Sequence, residues 1–431
     1  MDRVQAALHS PHTLKRFRVS VKDFTRRRTL PFERVAALIV RGHKLSSQTA
    51  LNKVFRVLDE VDVVPTPSAY SQARQKLKPE LFLYLNDLVT ESFYELYEAD
   101  GYVRRWKGRR VVGVDGTCLN LPDTPETRDH FSLHTNQSEV GRVQGLGSVL
   151  YDVLNGIGLS IAIDRKRAEK DFVFEHHLDK TRPDDVVVLD RVYADFAVMA
   201  FLAKHGREFV IRCPRAGFQK VIAFWESDEI ETSVTLQMPA TQRRYVEAHA
   251  LAKNVRVRLV KVELETGQIE VLATSLVDDE QVTRAELKQL YGMRWEVETY
   301  LDRIKNIFEV ERFSGQSVRA IEQDVYGTVF LATFESVLST RANRELEARS
   351  RERGHRHTQQ VNRRVSYSAM IDEAVTILLD PGASAEKALS RLQKLFTTNP
   401  TPRRAGRRHS RRKRGDKHRL RYYRYVRRVV A

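Results

Sequence analysis

The stretch Arg109–Leu121 reads RRVVGVDGTCLNL. The text changes character here. Before it, apolar residues recur at helical spacing, whereas Val111 to Val114 is a β-branched run stopping on Asp115 and Gly116. A short continuous apolar run of this kind reads as a strand buried on both faces, as in a parallel sheet covered by helices. It is expected to present a carboxylate at its end. Downstream, GLGSVLYDVLNGIGLSIAIDRKR (145–167) holds two more strands in a hairpin around Gly156. A second apolar strand, Val186 to Leu189, ends on Asp190; ADFAVMAFLAKHG then reads as a helix closed by Gly206, and EFVIRCP as another strand. From Ala216 to Val277 the text is strand-like and irregular. Thr283 with Glu286 has capping-box spacing, which predicts one long helix from there through IKNIF, with further helices over Ala320–Leu346 and Tyr367–Leu379. Upstream, Phe32–Val40, Gln48–Leu58, Ser68–Leu77 and Glu80–Tyr97 read as short helices separated by turn-prone pieces. The class is α/β with a helical region in front.

The charge is unevenly distributed. The 431 residues carry a formal net charge of +17. Residues 1–110 have 21 basic and 12 acidic side chains, net +9, and residues 403–428 have 14 basic against Asp416 alone, net +13. The remainder is therefore −5, a mildly acidic body between two basic ends. A polyanion binder that is also an enzyme would have this distribution, whereas binding alone would leave the chain basic throughout. The longest wholly apolar run, Phe196 to Ala203, is far short of the ~20 residues of a membrane span. Cys118 and Cys213 are the only cysteines and belong to no CxxC or Cys/His cluster, so a reduced cytoplasm is expected and structural zinc is not.

A strand ending on Asp is a weak signal alone. The helix YGMRWEVETYLDRIK (291–305) strengthens it. At ~100° per residue, Tyr291, Arg294, Glu298 and Lys305 share an arc of about 60°, beside an apolar stripe of Leu290, Met293, Val297, Leu301, Ile304 and Phe308. Such a helix would pack on the sheet and hold Glu298 toward the aspartates. In-line displacement at a phosphodiester needs two divalent ions ~4 Å apart, flanked by carboxylates. Hard oxygen ligands select Mg²⁺, with Mn²⁺ substituting. Asp115, Asp190 and Glu298 are the expected ligands and catalytic residues. Arg294 and Lys305 are expected to bind phosphate, Tyr291 to hydrogen-bond one, and Trp295 to stack on a base.

With these residues in view, the sequence resembles bacterial insertion-sequence transposases of the DDE superfamily, in the subgroup marked by Y-x2-R-x3-E-x6-K. Tyr291, Arg294, Glu298 and Lys305 match that signature with every spacing intact. GVDGT resembles the first-aspartate motif and VLDRVYADF the second; DFTRRRTLPFERVAALIV and SAYSQARQKLKPELF resemble the leader region. The resemblance implies a ribonuclease H-like mixed sheet with flanking helices, holding a DDE triad, with a β-rich insertion before the glutamate helix. The expected parts are an N-terminal helical DNA-binding domain (1–105), a catalytic core in two pieces (106–215 and 281–330), the insertion (216–280), a C-terminal helical region (331–400) and a basic tail (401–431), disordered without DNA. It also implies binding of double-stranded terminal inverted repeats by a synaptic homodimer, nicking to expose a 3′ hydroxyl, excision and attack on target DNA. In this subgroup Tyr291, Arg294 and Lys305 would hold a distorted DNA end, consistent with a hairpin intermediate, and an aromatic such as Trp225 would take a flipped base.

Arg191 and Tyr193 sit beside Asp190 and are read as phosphate contacts or turn residues. Arg26, Arg27 and Arg28, with Arg74, Lys76 and Lys78, fall near helix ends that could meet phosphates. Asp123, Asp152 and Asp164 are read as surface residues, and His176, His177, His355 and His357 as solvent-exposed. The alternatives are a DDE nuclease or domesticated derivative that cuts without joining, and a non-catalytic DNA-binding protein.

Overall fold

The strand expected over Val111–Val114 forms and is longer than expected. In the computed structural model, which describes residues 2–26, 28–42, 46–135, 141–278, 280–380 and 382–403, it spans Arg110–Asn120 and is β1. The other strands of its sheet are β2 (Leu133–Thr135), β3 (Gly141–Asp152), β4 (Ile157–Arg165), β5 (Asp185–Leu189), β6 (Glu208–Cys213), β7 (Glu231–Gln237), β8 (Asn254–Glu263) and β9 (Ile269–Thr274). The chain forms two compact units: residues 103–118 with 146–301, and residues 1–102 with 119–145 and 302–431. Arg27 and residues 404–431, nearly all of the expected basic tail, lie outside the described residues.

The first of these units carries the sheet. Its strand order is β4-β3-β1-β5-β6-β9-β8-β7. β1, β5 and β6 are parallel neighbours, and the wholly buried Val-rich β5 matches the two-sided burial its sequence implied. Register is fixed at the entry to β1 and β5. Arg110 pairs with Asp185 across the ladder, and their side chains form a bidentate ion pair of 2.6 and 2.7 Å with 3% and 0% side-chain exposure. A slip of one residue would break that pair and strand two buried charges, so the register is strongly specified. β3 and β4 form the expected hairpin, turning at Gly156 with φ +75°.

Three expectations are corrected here. β1 does not end at Asp115: it runs five residues further, because only its pairing with β5 stops, at Gly113 opposite Val188. Residues 216–277 are not simply strand-like. They contain the helices Gln219–Glu226 and Arg243–Ala248, and β9 hydrogen-bonds antiparallel to β6, so β9, β8 and β7 extend the same sheet. The single long helix from Thr283 is two. The capping box of Thr283 and Glu286 forms, but the first helix stops at Gly292 and a second, Trp295–Asn306, follows. Between them the amides of Met293, Arg294, Glu296 and Val297 each bond three residues back. That tighter 3₁₀ winding falls where Gly292 makes the helix weakest.

The other unit is helical. Phe32–Arg41, Ser47–Val57, Pro67–Arg74 and Glu80–Ala99 match the expected N-terminal helices within a few residues, and Asp2–His9 and Pro11–Phe17 precede them. They pack with the 35-residue helix Val318–Glu352, started by Ser317 accepting from the Ala320 amide, and with Arg363–Leu379 and Ala383–Thr398. β2 belongs here and pairs antiparallel with the start of β3, Leu133 opposite Val143. Among the described residues no helix is long and apolar enough to cross a membrane.

Candidate active site

Two aspartates stand level, one on β1 and one directly after its parallel neighbour β5. Gly113 pairs with Val188, so Asp115 and Asp190 each lie two residues beyond the last paired position of a parallel pair, on strands ~4.8 Å apart. Equal offset in a period-two structure places both on the same face. Asp190 leaves β5 directly into a 3₁₀ turn over Arg191–Tyr193.

The third acid arrives by close packing. A Cβ at Gly113 would overlap a methyl of Val297, so the helix bearing Glu298 crosses β1 where β1 has no side chain. Glu298 Oε1 accepts from Arg294 Nη2 at 2.8 Å, and Arg294 Nη1 lies 3.9 Å from Asp115 Oδ2. Arg294 thus stands between two of the acids. It is 4% exposed, its guanidinium is 5.8 Å from the Tyr291 ring centroid and 5.4 Å from that of Trp295, and the charge of Asp190 also acts on it.

The acids repel one another. The Asp115 carboxyl is pushed up to about 6, chiefly by burial and also by Glu169 and Glu298, while the Gly116 amide and Arg294 hold it down. Asp190 Oδ1 is buried without a hydrogen-bond partner. Unmet negative charge on hard oxygen donors is what a divalent cation would satisfy. The separations are wider than a closed site: among the described residues no group of three His, Cys, Asp or Glu side chains is near enough to hold a metal.

The remaining expected residues divide by exposure. Trp295 is 58% exposed and Arg191 is exposed, so both present surface to a ligand. Tyr291 is buried, its hydroxyl lacks a partner, and burial pushes it up to about 12. Tyr193 is fully buried, and its hydroxyl donates to Glu169 Oε2 at 3.0 Å. Lys305 lies about two turns beyond Glu298 on the same helix. Trp225 keeps a buried indole N–H without a partner, under the Arg215 guanidinium at 4.6 Å. Arg26 and Arg28 are exposed and, with Lys22 and Lys76, line a cavity of about 870 Å³ in the helical unit.

Three surface expectations are corrected by burial. Arg74 is not available to phosphate: it is 2% exposed and bonds Gln323, Ser314, Asp324 and the Ala320 carbonyl. Asp152 is fully buried, accepting from the amides of Leu154 and Asn155 to shape the hairpin turn. His177 is 1% exposed, shares a 2.9 Å hydrogen bond with Ser148 and is pushed down to about 3 by burial, hence neutral. Sequence reading missed Glu169. Its only marker is a position after β4, four residues past the strand's last residue.

The structure thus places one acid on β1, one just past the end of the parallel neighbour β5, and a glutamate on the helix that crosses β1. A family model described as "Transposase DDE domain" matches residues 106–334, more than half of the chain, and the chain belongs to that family of transposases. It is 24% identical over 317 residues to "Transposase InsG for insertion sequence element IS4" of Escherichia coli (strain K12), covering 70% of this chain and 69% of that one. The cryo-EM structure of the piggyBac transposase synaptic complex with hairpin DNA aligns over 96% of this chain and 88% of that one, at 10% identity and a TM-score of 0.42, too distant to bear on the site.

Proposed function

We propose that this transposase binds the terminal inverted repeats of an insertion sequence in the bacterial cytoplasm as a synaptic homodimer, cuts the element ends by phosphodiester hydrolysis and joins the 3′ hydroxyl ends to target DNA. The observation that carries the reading is the level placement of Asp115 and Asp190, with the helix of Glu298 crossing β1 through Val297 at Gly113. We read the sheet, with the β3–β4 hairpin on one side of β1 and parallel β5 and β6 on the other, as ribonuclease H-like.

Asp115, Asp190 and Glu298 would hold Mg²⁺, or Mn²⁺ in its place. When bound, the metal supplies Lewis-acid stabilisation of the attacking and leaving oxygens. Arg294 is the resident counter-ion of Asp115 and Glu298, and a phosphate entering beside them gives its fork a second acceptor. Trp295 offers an exposed ring on which an unpaired base can stack, with Arg294 fixing its plane. Arg191 and Lys305 add cations for the backbone, and Tyr291 holds Arg294 through its ring. Arg26 and Arg28, with Arg27, grip the duplex from the N-terminal helical region.

Glu298→Gln tests the catalytic assignment: cleavage of end-bearing DNA in Mg²⁺ is expected to fall by orders of magnitude with DNA binding unchanged. Cleavage at the wild-type rate would sink it. Strand-transfer products from pre-cut ends are expected from the wild-type protein, and their absence would leave a nuclease.

A further inference from the structure

The short helix Glu169–Phe172 carries three consecutive charged residues, each committed to a different element. Phe172, fully buried against Leu146 and Ala162 with Cys118 beside it, anchors the helix. Asp171 accepts from the Tyr245 hydroxyl at 2.9 Å, and Lys170 pairs with Asp195 at 2.8 Å. Glu169 lies beside Asp115. Its carboxylate lies over Gly116, where an added Cβ would come within 2.8 Å of the carboxyl carbon, and it accepts from Tyr193 at 3.0 Å.

Those two partners are the immediate extensions of the two aspartates. Gly116 follows Asp115, and Tyr193 closes the turn that Asp190 opens. One side chain therefore touches both segments. Any neutral acceptor could tie Tyr193 down, so the charge needs a separate reason. Beside Asp115 a further carboxylate costs stability while no cation is present, and strengthens attraction for one that enters.

We propose that Glu169 is a positioning residue of the cleavage site, tying the Asp190 turn to the Asp115 strand through Tyr193 and Gly116 and adding a fourth negative charge that tightens the hold on a divalent cation. The proposal rests on the catalytic reading above.

Two variants of the full-length protein separate the tether from the charge. Glu169→Gln keeps an acceptor for Tyr193 and removes the charge; Tyr193→Phe keeps the buried ring and removes the donor. MnCl₂ titrated into each protein, followed by loss of the free-Mn²⁺ paramagnetic resonance signal, reads affinity without turnover. Cleavage of end-bearing DNA over a MgCl₂ series reads the activation midpoint. Glu169→Gln is expected to weaken Mn²⁺ binding and raise the Mg²⁺ midpoint by about fivefold or more, with an unchanged or higher Tm. Tyr193→Phe is expected to move both the same way by less, and it carries the test if Glu169→Gln does not fold. Mn²⁺ affinity and Mg²⁺ midpoint within about twofold of wild type in the folded variants overturn the proposal. Retained cleavage in Glu298→Gln would remove the catalytic reading instead, and the Mn²⁺ titration then decides Glu169 by the same thresholds.

Discussion

Asp115 bears the cost of the site. Its carboxyl is raised to about 6, chiefly by burial, so the folded protein favours the protonated form relative to the unfolded chain. The resulting stability is fully present below the ordinary carboxylate range and is lost as pH rises through about 6. Asp115→Asn is therefore expected to raise the Tm of metal-free protein by a few degrees at pH 8, to give no gain below about pH 4, and to abolish cleavage. Thermal melts with chelator at the two pH values check this, and superimposable curves at pH 8 would contradict it. At this scale the acids of the motif were legible because each is marked by its own neighbours: a β-branched run for Asp115, the same for Asp190, a four-residue signature for Glu298. Arg74 was misread because its carboxylate partner lies 250 residues away, and a lone arginine at a helix end looks the same whether it faces solvent or Asp324. Glu169 was invisible for the same kind of reason, since Gly116 and Tyr193 lie on other elements.

The elements explain the motif GVDGT. Its first glycine is a steric requirement of the crossing helix, and its second leaves room for a carboxylate. Gly113→Ala is expected to cost about 1–3 kcal/mol by overpacking against Val297, with much of that loss recovered in Gly113→Ala with Val297→Ala. Denaturant melts of the two singles and the double measure the coupling, and additive losses would show that the helix does not pack there. Most strands of the sheet were legible from apolar runs of the right length. The extension of β1 past Asp115 was not, because its later residues are half-buried and mix polar with apolar positions. The break at Met293 was not legible, because a spacing of ~100° per residue holds for one winding throughout and a single glycine in a capped amphipathic stretch does not announce a change of pitch. Between 216 and 277 the two helices are only eight and six residues long, too short for periodicity to separate from irregular strand text.

For the whole molecule, charge and chain order are the informative quantities. The segment 403–428 carries +13 of the +17, while the sheet-bearing body contributes the acids. Deleting 403–431 is expected to flatten the salt dependence of DNA binding, because every phosphate that a Lys or Arg no longer neutralises takes about 0.9 off the slope of log affinity against log salt. Preference for element ends over random duplex is expected to survive, since that grip does not read sequence. Titrations across a salt series with both DNAs measure slope and preference together, and an unchanged slope would contradict the assignment. None of this was hidden in the sequence. The composition of the two compact units was, because contacts and not text decide which distant segments meet.

That discontinuity has a consequence for synthesis. Arg74 is made long before Ser314, Gln323 and Asp324, and residues 1–102 share their unit with a segment that starts only at 302. At ~5–20 residues per second, the N-terminal helices wait about 10–40 s for the helix that covers them. Glu298 is translated in the same late window, shortly before that helix. A ribosome that stops early releases a chain lacking both the proposed third ligand and the segments that complete its helical unit.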